Sequence, residues 1–192
     1  MSTRGYRLGR RQGEVDRTRS AILAAAREAV AELGPRSSLV KIAERAGVSR
    51  ITVYNQFGSK ERLLEALEAV VATATRDPAS EAAANPKDEL RRRINHACTV
   101  WAADHGLHRQ LESRRQGRAE ESQGDRALAE RLAAHDQLRP GCSLKEAEDV
   151  IGILTSFPVF DRLHKGGRRS PAAVAEILMR MAGECLSQRP DA

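Results

Sequence analysis

Residues 49–55, with the sequence SRITVYN, place several groups capable of directed hydrogen bonding within two turns of a short helix. Arg50 can donate paired hydrogen bonds to guanine or a single one to a phosphate, and Asn55 can pair with two atoms of adenine. Thr52 offers a methyl group and a hydroxyl, while the hydroxyl of Tyr54 suits a phosphate oxygen. A helix face that only meets solvent carries mostly ordinary charged residues, so this segment indicates recognition of a nucleic acid.

Two short helices are needed to hold these side chains in place. Ser38 is suited to cap the first helix and Ser49 the second, because serine side chains accept hydrogen bonds from free helix N–H groups. Gly47 lies between them and suits the left-handed backbone of a sharp turn. With Val53 facing inward, the pattern predicts a helix-turn-helix motif. Ser38 and Lys60 stand at helix starts and are candidates for phosphate contacts.

Positive charge is concentrated in the first third of the chain. Residues 1–60 hold 12 Lys or Arg against 5 Asp or Glu, a balance of +7, whereas residues 61–192 hold 20 against 21, a balance of −1. This asymmetry is expected when one part of a protein faces a polyanion. Residues 1–16 are basic, contain glycine and lack apolar periodicity, so we predict a disordered arm there.

The run LVKIAERAGVSRITVYNQFGSKERLLEAL resembles the DNA-binding domain of the tetracycline-repressor (TetR/AcrR) family, and the preceding RTRSAILAAAREAVAELG resembles its first helix. The strongest matches are IA..AGVS, T.Y..F and SKE.LL. The resemblance implies an all-helical homodimer that binds an operator and is released by a small molecule. Ile51 stands where family members often have glycine or another small residue. Including it, we predict DNA contacts by Ser38, Ser49, Arg50, Ile51, Thr52, Tyr54, Asn55 and Lys60.

The chain is predicted to be all-α, with about nine helices. Ala, Leu, Glu and Arg are abundant, and aromatic residues make up only 3% of the sequence. After the arm, residues 17–75 form the helix-turn-helix domain with a connecting helix, and residues 76–192 form an effector-binding and dimerisation domain. A long helix is expected over residues 143–164, bent at Pro158 because proline removes a backbone hydrogen bond. Ser170 and Pro171 open the last helix.

The effector site is expected between residues 89 and 165, in an apolar cavity with a few polar groups. Its candidate wall residues are His96, Cys98, Trp101, His105, Phe157 and Phe160. His105 and His108 share a helical face but have no third ligand at a suitable spacing, so we predict no metal site and no cofactor. Effector binding is expected to act through the connecting helix that begins near Ser59.

Several other classes of protein are disfavoured. The sequence has no apolar run of about 18 residues, which argues against a membrane protein, and three widely spaced cysteines favour the cytoplasm. No recognisable catalytic motif is present, so an enzyme is not expected. The sequence favours a repressor that binds a palindromic operator as a homodimer. An activator, a ligand-independent regulator and a helical protein-interaction adaptor remain alternatives.

Overall fold

The structure is a computed structural model that describes residues 4–76, 85–115 and 123–186, and their side chains except at residues 4–12, 115 and 123. Every regular element in these ranges is helical, as predicted. The chain divides into two compact units, Met1–Ala72 and Thr73–Ala192, close to the boundary expected after residue 75. None of the described helices combines the length and apolar character needed to cross a membrane.

The first unit contains four helices, α1 (Arg4–Leu33), α2 (Leu39–Arg45), α3 (Arg50–Phe57) and α4 (Lys60–Thr75), the last of which continues into the second unit. Ser38, Ser49 and Ser59 precede the three later helices, and each side chain accepts a hydrogen bond from a first-turn N–H. These caps satisfy N–H groups that have no partner within the helix. The buried apolar residues of this unit include Ile22, Ala26, Val30, Ile42, Ala43, Val53, Phe57, Leu63, Leu64 and Leu67.

The prediction of a disordered arm over residues 1–16 is wrong for residues 4–16, which belong to α1. The sequence before Pro35 contains no proline, and it is rich in arginine and alanine, which favour helix. Once Ile22 and Val30 anchor α1 in the core, each preceding residue adds a backbone hydrogen bond without a new nucleation cost. The basic residues of this segment therefore lie on a helix.

The second unit contains α5 (Pro86–Ala103), α6 (His105–Arg115), α7 (Gln123–Ala134), α8 (Leu144–Leu154), α9 (Phe157–Asp161), a π-helical turn (Arg162–Gly166) and α10 (Pro171–Leu186). Helix α10 packs against α5 and α8, α7 packs against α8 and α5, and α6 packs against α9. One cluster of buried apolar side chains joins α5, α7, α8, α9 and α10. This cluster forms the core of the unit.

The long helix predicted over residues 143–164 is broken rather than bent. Helix α8 ends at Leu154, and the side chains of Thr155 and Ser156 donate hydrogen bonds to the carbonyls of Ile151 and Ile153 at 2.8 and 2.7 Å. Pro158 then lies in the first turn of α9, where its missing N–H has no intrahelical partner to lose. The break before Pro158 therefore avoids the cost of proline within a helix.

Two ion pairs link α5 to α7. Glu89 pairs with Arg131, and Asp125 pairs with Arg93; both carboxylates are buried. Removal of the partner of a buried carboxylate strongly destabilises the folded protein, because no water replaces the lost interaction. These pairs therefore hold the two helices in one register. A Cβ on Gly152 of α8 would lie 3.3 Å from an Asp125 carboxylate oxygen, so α8 also packs closely on this site.

Candidate nucleic-acid interface and effector region

The turn between α2 and α3 is fixed by backbone geometry. Gly47 has φ +66°, a left-handed conformation that residues with a Cβ rarely adopt. The next N–H, that of Val48, returns to the carbonyl of Ala43 at 3.0 Å and closes the end of α2. The predicted role of Gly47 is confirmed. Helix α3 therefore begins at a defined position relative to α2.

Helix α3 has one buried and one exposed side. Val53 and Phe57 are buried in the first unit. On the opposite side, Ile51 and Tyr54 are 72% and 59% exposed, and Asn55 is also exposed. An α-helix with a projecting face of this kind fits the major groove of B-form DNA, which is about 12 Å wide. The structure thus exposes three of the predicted DNA-contact residues on one helix.

The first turn of α3 holds two of the predicted contacts in a local network. The Ser49 hydroxyl accepts a hydrogen bond from the Thr52 N–H at 3.1 Å and lies 2.9 Å from the Thr52 hydroxyl. Thr52 is half-buried, whereas Arg50 is exposed. One of the two hydroxyls donates to the other, so one hydroxyl proton of the pair is left to donate to a further acceptor.

The remaining predicted contacts stand at helix starts. Ser38 is exposed and its hydroxyl accepts from the Lys41 N–H at 3.3 Å, while Lys60 is half-buried at the first residue of α4. Free N–H groups and basic side chains at helix starts suit phosphate oxygens. All eight predicted DNA-contact residues thus lie on α3 or at the starts of the three later helices of this unit. Whether they touch DNA stays a prediction.

Two arginines outside the sequence motif join the helices of this unit. The Arg19 guanidinium of α1 lies 4.4 Å from the centre of the Phe57 ring and donates to the Gln56 carbonyl at 3.3 Å. Arg45 of α2 pairs with Glu32 of α1 at 2.8 Å. The sequence shows acidic and basic residues spaced along the two helices, but this spacing alone does not identify which of them pair. Arg19 therefore joins α1 to the end of α3, and Arg45 joins α2 to α1.

Most of the predicted effector residues come together in the second unit. The Trp101 ring lies 6.1 Å from that of Phe157 and 5.4 Å from that of Phe160. The His105 ring lies 5.7 Å from Phe157. Cys98 belongs to the same buried cluster, where burial raises the pKa of its thiol to about 11. These five side chains form an aromatic core patch on α5, α6 and α9.

His96 stands apart from this patch. Its Nε2 atom lies 2.9 Å from the carbonyl oxygen of Ala74, in the last turn of α4 and within the same unit. Residues one turn apart on a helix share a face, whereas His96 and Cys98 are only two residues apart and do not. His96 therefore links α5 to the end of α4, and its predicted place in the cavity wall stays a prediction.

An open depression of about 470 Å³ lies beside the aromatic patch, between α6 and α9. Its lining residues are Arg109, Glu112, Ser113, Phe157, Pro158, Asp161 and Arg162. Among the residues predicted from the sequence, Phe157 is the one that reaches this depression. The others were overlooked because charged side chains on separate helices give no sequence signal of proximity.

Histidines surround the aromatic patch. His105 Nε2 lies 2.5 Å from an oxygen of Asp161, and the buried His108 stacks on Phe157 with ring centres 5.6 Å apart. The His164 ring lies 5.9 Å from that of His105. Within the described parts of the chain, no three His, Cys, Asp or Glu side chains form a group suited to a metal ion.

Comparison with protein families matches residues 22–67 to the family described as bacterial regulatory proteins, tetR family. A search of curated protein sequences finds no significant match. The matched residues contain α2, α3 and the three turns between α1 and α4, together with parts of α1 and α4. The match thus covers the surface described above.

Solved structures extend the likeness to nearly the whole chain. A TetR family transcription regulator from Marinobacter aquaeolei VT8 is 22% identical, with TM-score 0.67, and the match covers 93% of this chain and 100% of that one. NalD of Pseudomonas aeruginosa, the secondary repressor of the MexAB-OprM multidrug efflux pump, is 24% identical, with TM-score 0.64 and the same coverage of 93% and 100%.

The transcriptional regulator FadR of Bacillus subtilis, solved in complex with stearoyl-CoA, is 21% identical, with TM-score 0.66 and coverage of 84% and 96%. At these identities the solved structures establish the fold, while the family match identifies the motif. Residues 22–67 therefore form a helix-turn-helix domain that matches the tetR family of bacterial regulatory proteins, and the chain as a whole has the fold of the TetR family regulators among these solved structures.

Proposed function

We propose that the protein is a repressor that binds a palindromic operator as a homodimer and leaves it when a small molecule binds the second unit. The observation that carries this proposal is the outward face of α3, which is held by the Gly47 turn and the Ser49 cap. Side chains on a rigid helix read bases with less loss of conformational freedom than side chains on a loop. The +7 balance of residues 1–60 adds attraction to the phosphate backbone.

Dimerisation follows from the limited information that one helix can read. A good two-atom contact to a base is worth about 1–3 kcal/mol of discrimination, and three or four such contacts cannot select one site in a genome. Two copies double the number of contacts and require half-sites about 34 Å apart or at multiples of that distance. Ile153 on α8 and Met181 on α10 are 56% and 42% exposed, which supports these helices as the self-association surface.

Release by an effector is supported by the construction of the second unit. FadR, which shares the fold, has been solved with stearoyl-CoA, so this architecture accommodates a ligand. In the present chain, the aromatic patch lies beside the break between α8 and α9 and beside a π-helical turn, a feature frequent at functional sites. Opening this region would admit a mostly apolar molecule.

The link from the effector to DNA runs through α4 in this proposal. His96 on α5 holds the carbonyl of Ala74 near the end of α4, and the same helix begins at Lys60 beside the recognition surface. A ligand shifts an equilibrium only by its differential affinity for the two states, with typical coupling of about 1–3 kcal/mol. A small displacement of α4 in each subunit is enough to change the separation of the two α3 helices.

The proposal is tested by selecting duplexes from a randomised pool with the full chain. We expect a palindromic site, bound as two chains per duplex in sedimentation experiments, with an affinity at least about 1,000-fold above that for random duplex at the same salt concentration. Selection that yields no preferred sequence would exclude operator recognition. Preferred binding of single chains to a half-site would exclude the dimer.

The effector part has its own test because Trp101 is the only tryptophan. It is buried against Phe157 and Phe160, so ligand entry into the aromatic patch should change its emission. Candidate compounds that change Trp101 emission should also release the selected duplex over the same concentration range. Compounds that release the duplex without changing the emission would show that the effector site lies elsewhere.

A further inference from the structure

We propose that Ile51 is a sequence-reading residue whose side chain contacts the C5 methyl group of a thymine in the major groove of each operator half-site. This inference rests on the proposed DNA-binding function and adds a specific base and a specific chemical group to it. Thymine is the base that presents a methyl group in the major groove, so an apolar side chain on a recognition helix has a defined partner there.

The exposure of Ile51 is the first observation. It is the second residue of α3 and is 72% exposed, the largest value among the exposed large hydrophobic residues of the described chain. The core side of α3 is occupied by Val53 and Phe57, so Ile51 is not needed to hold the helix in the unit. Contact between an exposed isoleucine side chain and another apolar surface is favourable, because it removes apolar surface from water.

The hydrogen bonds of the first turn are the second observation. The hydroxyls of Ser49 and Thr52 lie 2.9 Å apart, and the Ser49 oxygen also accepts from the Thr52 N–H. Both oxygens therefore take part in bonds within the turn, and one hydroxyl proton is left to donate outside it. Besides these hydroxyls, the start of α3 carries the Arg50 side chain, the aliphatic side chain of Ile51 and the methyl group of Thr52. Next to the arginine, this part of the helix is an apolar contact surface.

Helical spacing relates this surface to the predicted adenine contact. Ile51 and Asn55 are four residues apart, so they lie on one face about one 5.4 Å turn from each other. Base pairs are stacked about 3.4 Å apart. If Asn55 pairs with adenine, the thymine read by Ile51 lies within about two base pairs of it. The structure thus predicts neighbouring adenine and thymine positions, on either strand, in the selected half-site.

Removal of a single methyl group tests this inference. In the selected palindrome, each thymine is replaced in turn by deoxyuridine, which keeps the hydrogen bonds of the base and loses only the C5 methyl. Burial of one methyl group corresponds to about fourfold in Kd, so substitution in both half-sites should weaken binding roughly 15-fold. We expect this loss at one thymine position per half-site, measured by fluorescence anisotropy at fixed salt.

The Ile51→Ala variant should bind the thymine and deoxyuridine duplexes equally, because the side chain that senses the methyl group is absent. Val70→Ala is the matched control: Val70 is an exposed aliphatic residue of the same unit, 49% exposed on α4. This variant should retain the full discrimination. Thermal unfolding of both variants should match that of the unaltered protein, since neither side chain is buried.

The possible failures are distinguishable. A selected palindrome that binds tightly, but with the same Kd after every deoxyuridine substitution, would overturn the role of Ile51 and leave the regulator intact. The role of Ile51 is also overturned if Ile51→Ala weakens binding to the thymine and deoxyuridine duplexes by the same factor, so that the variant still prefers thymine. That result would show that Ile51 contacts the sugar-phosphate backbone instead. If no duplex is preferred over random sequence at the same salt, the proposed function and this inference fail together.

Discussion

Removal of the Ser49 hydroxyl tests whether the N-cap of the recognition helix α3 contributes to operator binding as well as to stability. In the Ser49→Ala variant, the Thr52 N–H loses its acceptor at 3.1 Å and the Thr52 hydroxyl loses its partner at 2.9 Å. Loss of a serine N-cap costs about 1 kcal/mol of helix stability. The bond between the two exposed hydroxyls adds little, because water replaces it.

The expected effect on DNA binding follows from the length of α3. This helix has only eight residues, and its core anchors Val53 and Phe57 are its fourth and eighth residues. Its first turn, which carries Arg50 and Ile51, therefore frays most easily without the cap. A cost of about 1 kcal/mol is a factor of about five in an equilibrium constant, so affinity should fall by at most about fivefold per half-site and about 30-fold for a palindrome.

The Ser143→Ala variant is the matched control, since Ser143 caps α8 by accepting from the Glu146 N–H at 3.1 Å. Both variants should lower the free energy of unfolding in urea by about 1 kcal/mol. Only Ser49→Ala should weaken operator binding in fluorescence anisotropy. Ser49→Asn, which restores a good cap, should recover the stability. Equal losses of operator affinity for Ser49→Ala and Ser143→Ala would refute the reasoning.

Two further predictions concern the second unit. Arg131→Ala should lower the free energy of unfolding by about 3 kcal/mol, because it takes this partner away from the buried Glu89 carboxylate. Glu130→Ala, which breaks an exposed pair with Arg126, should cost less than about 1 kcal/mol, and equal costs in urea denaturation would contradict the assignment. Cys98 should resist alkylation by iodoacetamide at pH 8 in the native protein, since burial raises its pKa to about 11 and leaves on the order of one thiol in 1,000 ionised. Mass spectrometry of timed samples checks this, and rapid native labelling of Cys98 would show that the site is open.

The helix-turn-helix motif was predictable because its determinants are local. The Ser38 and Ser49 caps and the Gly47 turn each depend on residues within four positions along the chain, and all three are found. The face of α3 followed from helical periodicity once Val53 was placed inward. Local chemistry was therefore sufficient for the part of the chain that is proposed to meet DNA.

The second unit was less predictable because its contacts join distant residues. Apolar periodicity continued from α8 into α9, so it did not reveal that the helix breaks at Thr155 and Ser156. The bond from His96 to Ala74 spans 22 residues, and no pattern on α5 distinguishes it from a cavity contact. The helical state of residues 4–16 was missed because composition suggested disorder, whereas the helix extends from an anchored core segment.

The most direct test of the central claim is the ratio of affinities for the selected operator and a random duplex, measured at one salt concentration. The Asn55→Ala variant should lose most of this ratio, because it removes a base contact, while Lys60→Ala should weaken binding to both duplexes about equally, because it removes a phosphate contact. If Asn55→Ala weakens binding to both duplexes equally, as Lys60→Ala is expected to do, base reading by α3 is contradicted.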